Sequence, residues 1–273
     1  MHRFATIAAA SVAAWSGTVF AQEAIFTQAA TMPAPGAVVV RERVSYSRYG
    51  SDPTSSSTHL DLQESWTGVQ VGLARALSLD VDASLDNAWQ SRDDGTSNSS
   101  FFVRDASALL KYRFYQDDTS GIDTFRIVAL GGVAATFQDR ATLDPEIGVA
   151  ATWVKGRHGF NQDVLFRLNT GGSESNNLGG EGPSDALRFD SAYLFRLAPE
   201  TYASDTEGAW YVTAEMNGLY ETSGDIDLRF SPGLLYEGRS FAVELFAQVP
   251  LYQQVDHRAE LDFTVGVGVR LLF

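Results

Sequence analysis

Cysteine is absent from the 273 residues, so no disulfide framework can hold a small secreted domain together. Positive charge is scarce: the chain has 20 Lys and Arg but 34 Asp and Glu, which gives a formal net charge of −14. A chain this acidic is a poor ligand for nucleic acid or for an anionic lipid surface. Beyond residue 20, no apolar run reaches the roughly 20 residues that a membrane-spanning helix needs. The sequence therefore excludes a disulfide-rich domain, a nucleic-acid-binding protein and a helical membrane bundle.

The first 21 residues have the composition of a secretory signal peptide. Met1–Arg3 is basic, residues 4–20 are almost free of charge, and Val19–Ala21 has the small-x-small form of a cleavage site. A membrane anchor is the alternative, but the segment is short, rich in Ala and ends in a cleavage motif. We therefore predict that residues 1–21 are removed on export.

Strict alternation of apolar and polar residues runs through the rest of the chain. In the stretch LSLDVDASLD, residues 77–86, every second residue is apolar and the others are Ser or Asp. Similar alternation recurs in residues 38–48, 105–114, 160–168, 187–197, 210–217 and 261–273. A period of two is typical of β-strands, whose successive side chains leave opposite faces. The chain is therefore predicted to be all-β.

The connections between the predicted strands alternate between long and short. Long polar segments such as residues 90–100 and 170–185 alternate with tight turns such as residues 156–159 and 237–239. Long loops on one rim and short turns on the other are typical of an outer-membrane barrel. We predict a transmembrane antiparallel up-and-down β-barrel of about 12 strands over residues 37–273. Residues 22–36 precede it as a periplasmic N-terminal segment or a partial plug.

A soluble β-sandwich or lipocalin-like barrel would show the same alternation with the apolar side chains inside. Three features favour a membrane barrel with its apolar face outward. Opposite charges share the polar face of most strands, which suits a wet lumen. Aromatic residues gather at predicted strand ends, as at a lipid–water interface; they include Trp66, Trp89, Phe114, Tyr115, Trp153, Trp210 and Tyr236. The chain also ends on an apolar alternation that closes with Phe273.

This interpretation predicts localisation to the outer membrane of a Gram-negative bacterium. The expected partners are outer-membrane lipids, the barrel-assembly machinery and a small-molecule solute, and no nucleic acid. Phe273 is the predicted C-terminal signal for membrane insertion. The sequence predicts no cofactor and no metal site.

The charged residues on the polar faces are the candidates for lining the lumen and setting its selectivity. They are Arg41, Arg43, Asp80, Asp82, Asp86, Asp105, Lys111, Arg113, Arg126, Arg167, Arg188, Asp190, Arg196, Glu215, Asp227, Arg229, Glu244 and Arg270. Ten are basic and eight are acidic, so the predicted lumen is nearly balanced in charge. These groups fit a pore for small solutes. They equally fit a non-conducting structural or adhesive barrel. In such a barrel the charged groups pair across the lumen, and the extracellular loops carry out the function.

An outer-membrane lipid hydrolase is a third, less favoured function. It needs a Ser and a His at the outer-leaflet rim, with a third group orienting the His. His158 lies in a predicted periplasmic turn, His257 lies in a polar loop, and His59 is predicted to face the lumen with Asp61 and its alternating neighbours. No histidine belongs to a G-x-S-x-G or H-E-x-x-H motif. The sequence therefore predicts no enzyme.

Two positions depart from ordinary strand chemistry. Gly131-Gly132 interrupts an apolar run, and Pro232, which lacks an N–H donor, falls in the middle of a strand. We expect a bulge or bend at each.

Three segments resemble a known family. Asp105 followed by Lys111-Tyr112-Arg113, the segment 143–171, and Ser231-Pro232-Gly233 followed by Pro250-Leu251 are similar to the outer-membrane "meta-pathway of phenol degradation" family. The similar spacing covers about residues 37–273. The resemblance implies a transport-associated β-barrel for small solutes, aromatic or amphipathic ones among them, without establishing a phenolic substrate.

Overall fold

The computed structural model describes residues 22–50, 52–53, 57–92, 94–119, 123–137, 142–171, 184–203, 205–256 and 258–273. The predicted signal peptide and His257 lie outside the described residues. Twelve β-strands account for most of what is described, and that part of the chain contains no helix able to cross a membrane. The strands are β1 (Val38–Tyr49), β2 (Ser57–Ala74), β3 (Leu77–Arg92), β4 (Ser97–Asp118), β5 (Thr124–Thr136), β6 (Thr142–Lys155), β7 (His158–Arg167), β8 (Ala186–Ala198), β9 (Gly208–Glu221), β10 (Ile226–Gly238), β11 (Phe241–Gln254) and β12 (Leu261–Leu272).

The strands form one closed antiparallel barrel in which each strand pairs with its neighbours in sequence. Closure comes from β1, which pairs with β2 on one side and with β12 on the other, with Val44 opposite Val267. A closed sheet has no free edge, so every backbone polar group of a strand can be paired within the sheet. The predicted all-β, up-and-down barrel of about twelve strands is confirmed.

The two ends of the barrel differ in their connections. At one end, β2–β3, β6–β7 and β10–β11 are joined by two-residue turns, and this end also holds the start of β1 and the end of β12. We call it the short-turn rim. The other end, the long-loop rim, carries the connection between β7 and β8 over residues 168–185. The nine-residue connection 199–207 is the exception on the short-turn rim.

The outer surface of the barrel is an apolar band bordered by aromatic side chains. Val81, Val212 and Val267 are exposed on this surface and represent a ring of such residues around the barrel. Near the short-turn rim, Trp210 packs on Tyr236 at 5.0 Å between ring centroids. Near the long-loop rim, Tyr46 lies 6.1 Å from Phe263. Two aromatic belts with an apolar band between them are the outer surface of a transmembrane barrel.

Strand β2 carries its polar residues outward, contrary to the sequence prediction. Its register with β1 places Gln63 opposite the exposed Tyr46, so Asp61, Gln63 and their alternating neighbours face outward with it. His59 belongs to this outer face, and the prediction that it faces the lumen is wrong. Leu60, Leu62, Glu64 and Trp66 point inward instead. Trp66 is therefore a lumen residue in the middle of β2 and not part of an aromatic belt.

The expected irregularities lie elsewhere in the sheet. Gly131 and Gly132 pair in unbroken register with both β4 and β6, so the bulge predicted there is wrong. A side chain at Gly132 would have its Cβ 2.0 Å from the carbonyl oxygen of Ala108, so the close approach of two backbones requires glycine. The β10–β11 register shifts at Leu228/Arg229, whereas it is the same before and after Pro232.

Candidate functional site

The N-terminal residues 22–36, which we call the inner segment, lie inside the barrel. The carboxylate of Glu215, in the middle of β9, holds one stretch of it. This carboxylate accepts the backbone N–H groups of Ile25, Phe26 and Thr27 at 2.6, 3.0 and 2.9 Å, and the Thr27 hydroxyl at 2.8 Å. Hydrogen bonds to a charged acceptor are the stronger kind, so Glu215 is the principal anchor of the segment.

Strand β1, four strands away from β9 around the barrel, contacts the carbonyl groups of the same stretch. The Arg41 guanidinium donates to the carbonyl oxygens of Ala24 and Ile25 at 2.9 and 2.7 Å. Arg43 donates to the Ile25 carbonyl at 2.8 Å. The backbone of residues 24–27 is therefore held between an anionic strand, β9, and a cationic strand, β1.

The next residues of the inner segment cross to β7 and β6. The N–H of Gln28 donates to Asp163 at 2.6 Å, and the N–H of Ala30 donates to the Thr152 hydroxyl at 2.8 Å. Ala30 itself is fully buried in an apolar cluster with Leu109 and its neighbours. The segment thus spans the lumen between opposite walls.

The segment leaves the barrel beside β2. The N–H of Gly36 donates to the carbonyl of Gly72 at 2.8 Å, and a Cβ at Gly72 would lie 2.1 Å from the carbonyl oxygen of Ala34. Only glycine fits this exit, since any side chain would meet the backbone of the segment.

An ion-pair network also ties the inner segment to β11 and β12. Arg270, which is fully buried, pairs with Glu244 at 2.5 Å and with Glu23 at 2.9 Å, and Glu244 also pairs with Arg41 at 2.8 Å. The Thr31 hydroxyl donates to Glu23. Burial acts to raise the pKa of Glu23, but Arg270 and the Thr31 hydroxyl outweigh burial and hold that pKa below its usual value. Glu23 therefore stays ionised at neutral pH.

A cavity of about 380 Å³ lies beside the inner segment, which forms part of its wall with residues 23–29. Eight basic and eight acidic residues line it among the described residues, so its formal charge is balanced. The basic ones are Arg41, Arg43, Arg104, Lys111, Arg167, Arg188, Arg229 and Arg270, and the acidic ones are Glu23, Glu64, Asp80, Asp82, Asp105, Glu146, Asp190 and Asp227.

The sequence-predicted lumen residues fall into three groups. Twelve line the cavity: Arg41, Arg43, Asp80, Asp82, Asp105, Lys111, Arg167, Arg188, Asp190, Asp227, Arg229 and Arg270. Four are buried but do not line it: Asp86, Arg196, Glu215 and Glu244. Arg113 and Arg126 lie near the short-turn rim, where Arg113 donates to the Arg75 carbonyl and Arg126 pairs with Asp118 at 3.3 Å.

Several interior residues were missed by the sequence reasoning. Glu64 faces inward because β2 is inverted relative to the prediction. Arg104 sits at a bulge in β4, where Ser84 pairs with Asp105 and Leu85 with Val103. The extra residue lets Arg104 join the neighbouring Asp105 at the cavity, where it pairs with Glu64 at 2.6 Å. Asp163 shares its strand face with Arg167, so the alternation of β7 could have predicted that Asp163 points inward.

Aromatic side chains make one part of the cavity wall. The Arg43 guanidinium lies 4.1 Å from the Trp66 ring centroid and 5.1 Å from that of Phe26. Phe26 packs edge-on against Phe246 at 4.9 Å. The cavity therefore offers both charged and aromatic surface to a solute.

The long-loop rim is partly covered by the connection between β11 and β12. Val255 and Ala259 are buried there, and Ala259 joins an apolar cluster with Leu60 and Leu62. Arg258 pairs with Glu221 at 2.9 Å. This connection and the inner segment narrow the interior of the barrel at two levels.

The histidines show no catalytic arrangement within the described residues. The His158 Nδ1 lies 2.7 Å from the Tyr193 hydroxyl near the short-turn rim, and His59 is on the outer face of β2. The Ser57 hydroxyl donates to the backbone carbonyl of His59 at 3.2 Å, a contact that does not involve the imidazole ring. The described residues also hold no group of three or more His, Asp or Glu placed to bind a metal ion.

No family model matches the sequence, and no curated protein matches it significantly. Solved structures do match its fold. An outer membrane channel from Pseudomonas putida F1 aligns with a TM-score of 0.54 at 12% identity, covering 89% of this chain and 97% of that one. The NanC porin aligns with a TM-score of 0.51 at 12% identity, covering 85% and 98%. The shared feature is the outer-membrane barrel fold, and the resemblance to the phenol meta-pathway family stays a prediction.

Proposed function

We propose that this protein is an outer-membrane channel for small polar or amphipathic solutes, with its long-loop rim facing the outside of the cell. The cavity carries the proposal, because a barrel interior lined by sixteen charged residues favours water and solutes over a packed core. The wall formed by Trp66, Phe26 and Phe246 supports aromatic solutes among those that pass.

The inner segment is the proposed constriction of this channel. It crosses the lumen, and backbone hydrogen bonds to Glu215 and Asp163 hold it in place. The segment does not fill the lumen, because a cavity of about 380 Å³ lies beside it.

A non-conducting structural or adhesive barrel is the second candidate. The observation that favours it is the extent of pairing inside the barrel, where Arg270, Glu244, Arg41 and Glu23 form one network between the wall and the inner segment. In such a protein the long extracellular loops would carry out the structural or adhesive function. The paired charges would only fill the interior.

Single-channel recording in planar bilayers separates the two candidates. The experiment compares the intact protein with a variant that lacks residues 23–31, whose contacts span the lumen. A channel predicts a small conductance for the intact protein and a larger one for the deletion variant. If neither protein conducts while both show the heat-modifiable gel mobility of a folded barrel, the structural function is correct.

The remaining expectations form part of the same proposal. Export by the signal peptide at residues 1–21, contact with outer-membrane lipids and recognition of Phe273 by the barrel-assembly machinery all follow from an outer-membrane channel. The outward apolar band and the aromatic belts support the lipid contact.

A further inference from the structure

The cations that line the cavity differ in how they are neutralised. Six of the eight form an ion pair within the barrel: Arg41 and Arg270 with Glu244, Arg104 with Glu64, Lys111 with Asp80, Arg167 with Glu146 and Arg229 with Asp227. Arg43 donates to the Ile25 carbonyl and stacks on two aromatic rings. Arg188 has neither an ion pair nor a hydrogen bond to any other described residue, although it lines the same cavity.

The surroundings of Arg188 suit a binding site. Its neighbours across the sheet are Leu165 on β7 and Leu219 on β9, and both also line the cavity. Arg188 is half-buried at this position. A charge that is partly removed from water gains more from an anionic partner than an exposed one does.

Asp105, Asp163 and Asp190 lie near enough to interact electrostatically with Arg188, but no ion pair within 4 Å joins it to any of the three. Asp190, two residues further on, accepts the Asn217 amide at 3.1 Å. Asp190 and Asp105 both line this cavity with Arg188. A solute that places an anionic group on Arg188 and a hydroxyl near these carboxylates would satisfy both kinds of site.

We propose that Arg188 binds the carboxylate of a small hydroxy-carboxylic acid in the cavity. The planar guanidinium matches a carboxylate with two parallel hydrogen bonds, which a lysine ammonium cannot reproduce. A cavity of about 380 Å³ accommodates a solute of this size. The inference rests on the proposed function, because it names the class of solute that the channel takes.

The test measures binding of 3-hydroxybutyrate to the purified full-length barrel in detergent micelles, by NMR titration of the ligand. 3-Hydroxybutyramide, which has the same shape but no charge, is the matched ligand control. The variants are Arg188→Gln and Arg188→Lys. Arg113→Gln makes the same charge change outside the cavity and is the matched protein control.

We expect Arg188→Gln to raise the Kd for 3-hydroxybutyrate at least about tenfold, the effect of losing about 1.4 kcal/mol. Arg188→Lys should give an intermediate Kd, and Arg113→Gln should leave it unchanged. Binding of the amide should be weaker and insensitive to Arg188→Gln. An equal Kd in the intact protein and Arg188→Gln, or no saturable binding to the intact protein, would overturn the proposal.

Folding and conduction are controlled separately. Heat-modifiable mobility shows whether each variant forms the barrel, and Arg188→Lys keeps the charge if Arg188→Gln does not fold. Binding in micelles does not require conduction. A barrel that binds 3-hydroxybutyrate through Arg188 but carries no current would therefore refute the channel and leave this inference standing.

Discussion

A single carboxylate, Glu215, accepts three consecutive backbone N–H groups of the inner segment. Replacing it with alanine leaves these donors without their charged acceptor, which costs about 2–4 kcal/mol after water partly replaces it. We predict that Glu215→Ala releases the segment and makes Phe26 cleavable by chymotrypsin, as detected by mass spectrometry of the intact barrel.

The control for this variant is Glu215→Gln, which keeps an acceptor oxygen in place and should be cleaved more slowly. Uncut Phe26 in the folded alanine variant would show that the remaining contacts with Arg41 and Asp163 suffice to hold the segment.

Two neighbouring residues on β3 lie in different environments, one on the outer surface and one at the cavity. Val81 is 43% exposed on the outer surface, whereas Asp82 lines the cavity and accepts the Ser107 hydroxyl at 2.6 Å. Arginine in the apolar band costs roughly 2–4 kcal/mol, while a lumen position offers water and acidic partners. We predict that Val81→Arg lowers the free energy of unfolding in lipid vesicles more than Asp82→Arg does. Equal losses would mean that both side chains meet the same environment.

At the scale of the element, β2 shows why alternation alone does not assign faces. Its residues 59–63, HLDLQ, alternate between polar and apolar as other strands do, but here the polar residues face outward. The register with β1 decides the matter, because Gln63 lies opposite Tyr46. A one-residue change in pairing reverses both faces, and no signal within β2 itself encodes that choice.

This arrangement leaves Gln63 exposed on the outer surface, where it makes no hydrogen bond to a described residue. Gln63 lies opposite Tyr46 at the aromatic belt, where an unpaired amide that is partly removed from water costs about 0.5–2 kcal/mol. We predict that Gln63→Leu raises the free energy of unfolding in lipid vesicles by about 1 kcal/mol or more. Leu62→Gln, which changes the adjacent inward residue, should lower it, and the opposite order would contradict the register.

At the scale of the whole molecule, much of the barrel could be predicted from the sequence. The strand count, the closed topology and the outward direction of Val81 and Val267 follow from a period of two and the alternation of loop lengths. The inward turn of Arg104 could not be predicted, because it depends on a bulge with no local signature. The path of the inner segment could not either, since its partners, such as Glu215, lie far away in sequence.

The end of the chain completes the barrel. The N–H of Phe273 donates to the Val38 carbonyl at 2.9 Å, and the N–H of Val38 donates to the Phe273 carbonyl at 3.1 Å, while the Phe273 side chain is 73% exposed. The backbone pair does not depend on the side chain. We predict that Phe273→Ser refolds in detergent like the intact protein but accumulates less in the outer membrane of cells, as measured by fractionation. Equal accumulation would mean that the side chain is not read during assembly.

The anchoring of Ile25 by Glu215 also bears on the order of folding. The two residues are 190 positions apart, and the β1–β12 ladder joins chain ends that are still further apart. Contacts of such high sequence separation form slowly, because the chain loses conformational entropy in closing a long loop before the contact contributes any stability. The hairpins can pair early, but the inner segment has no complete binding site until β9 and β1 are both part of the closed barrel. Seating of the inner segment is thus a late kinetic step, coupled to closure of the cylinder.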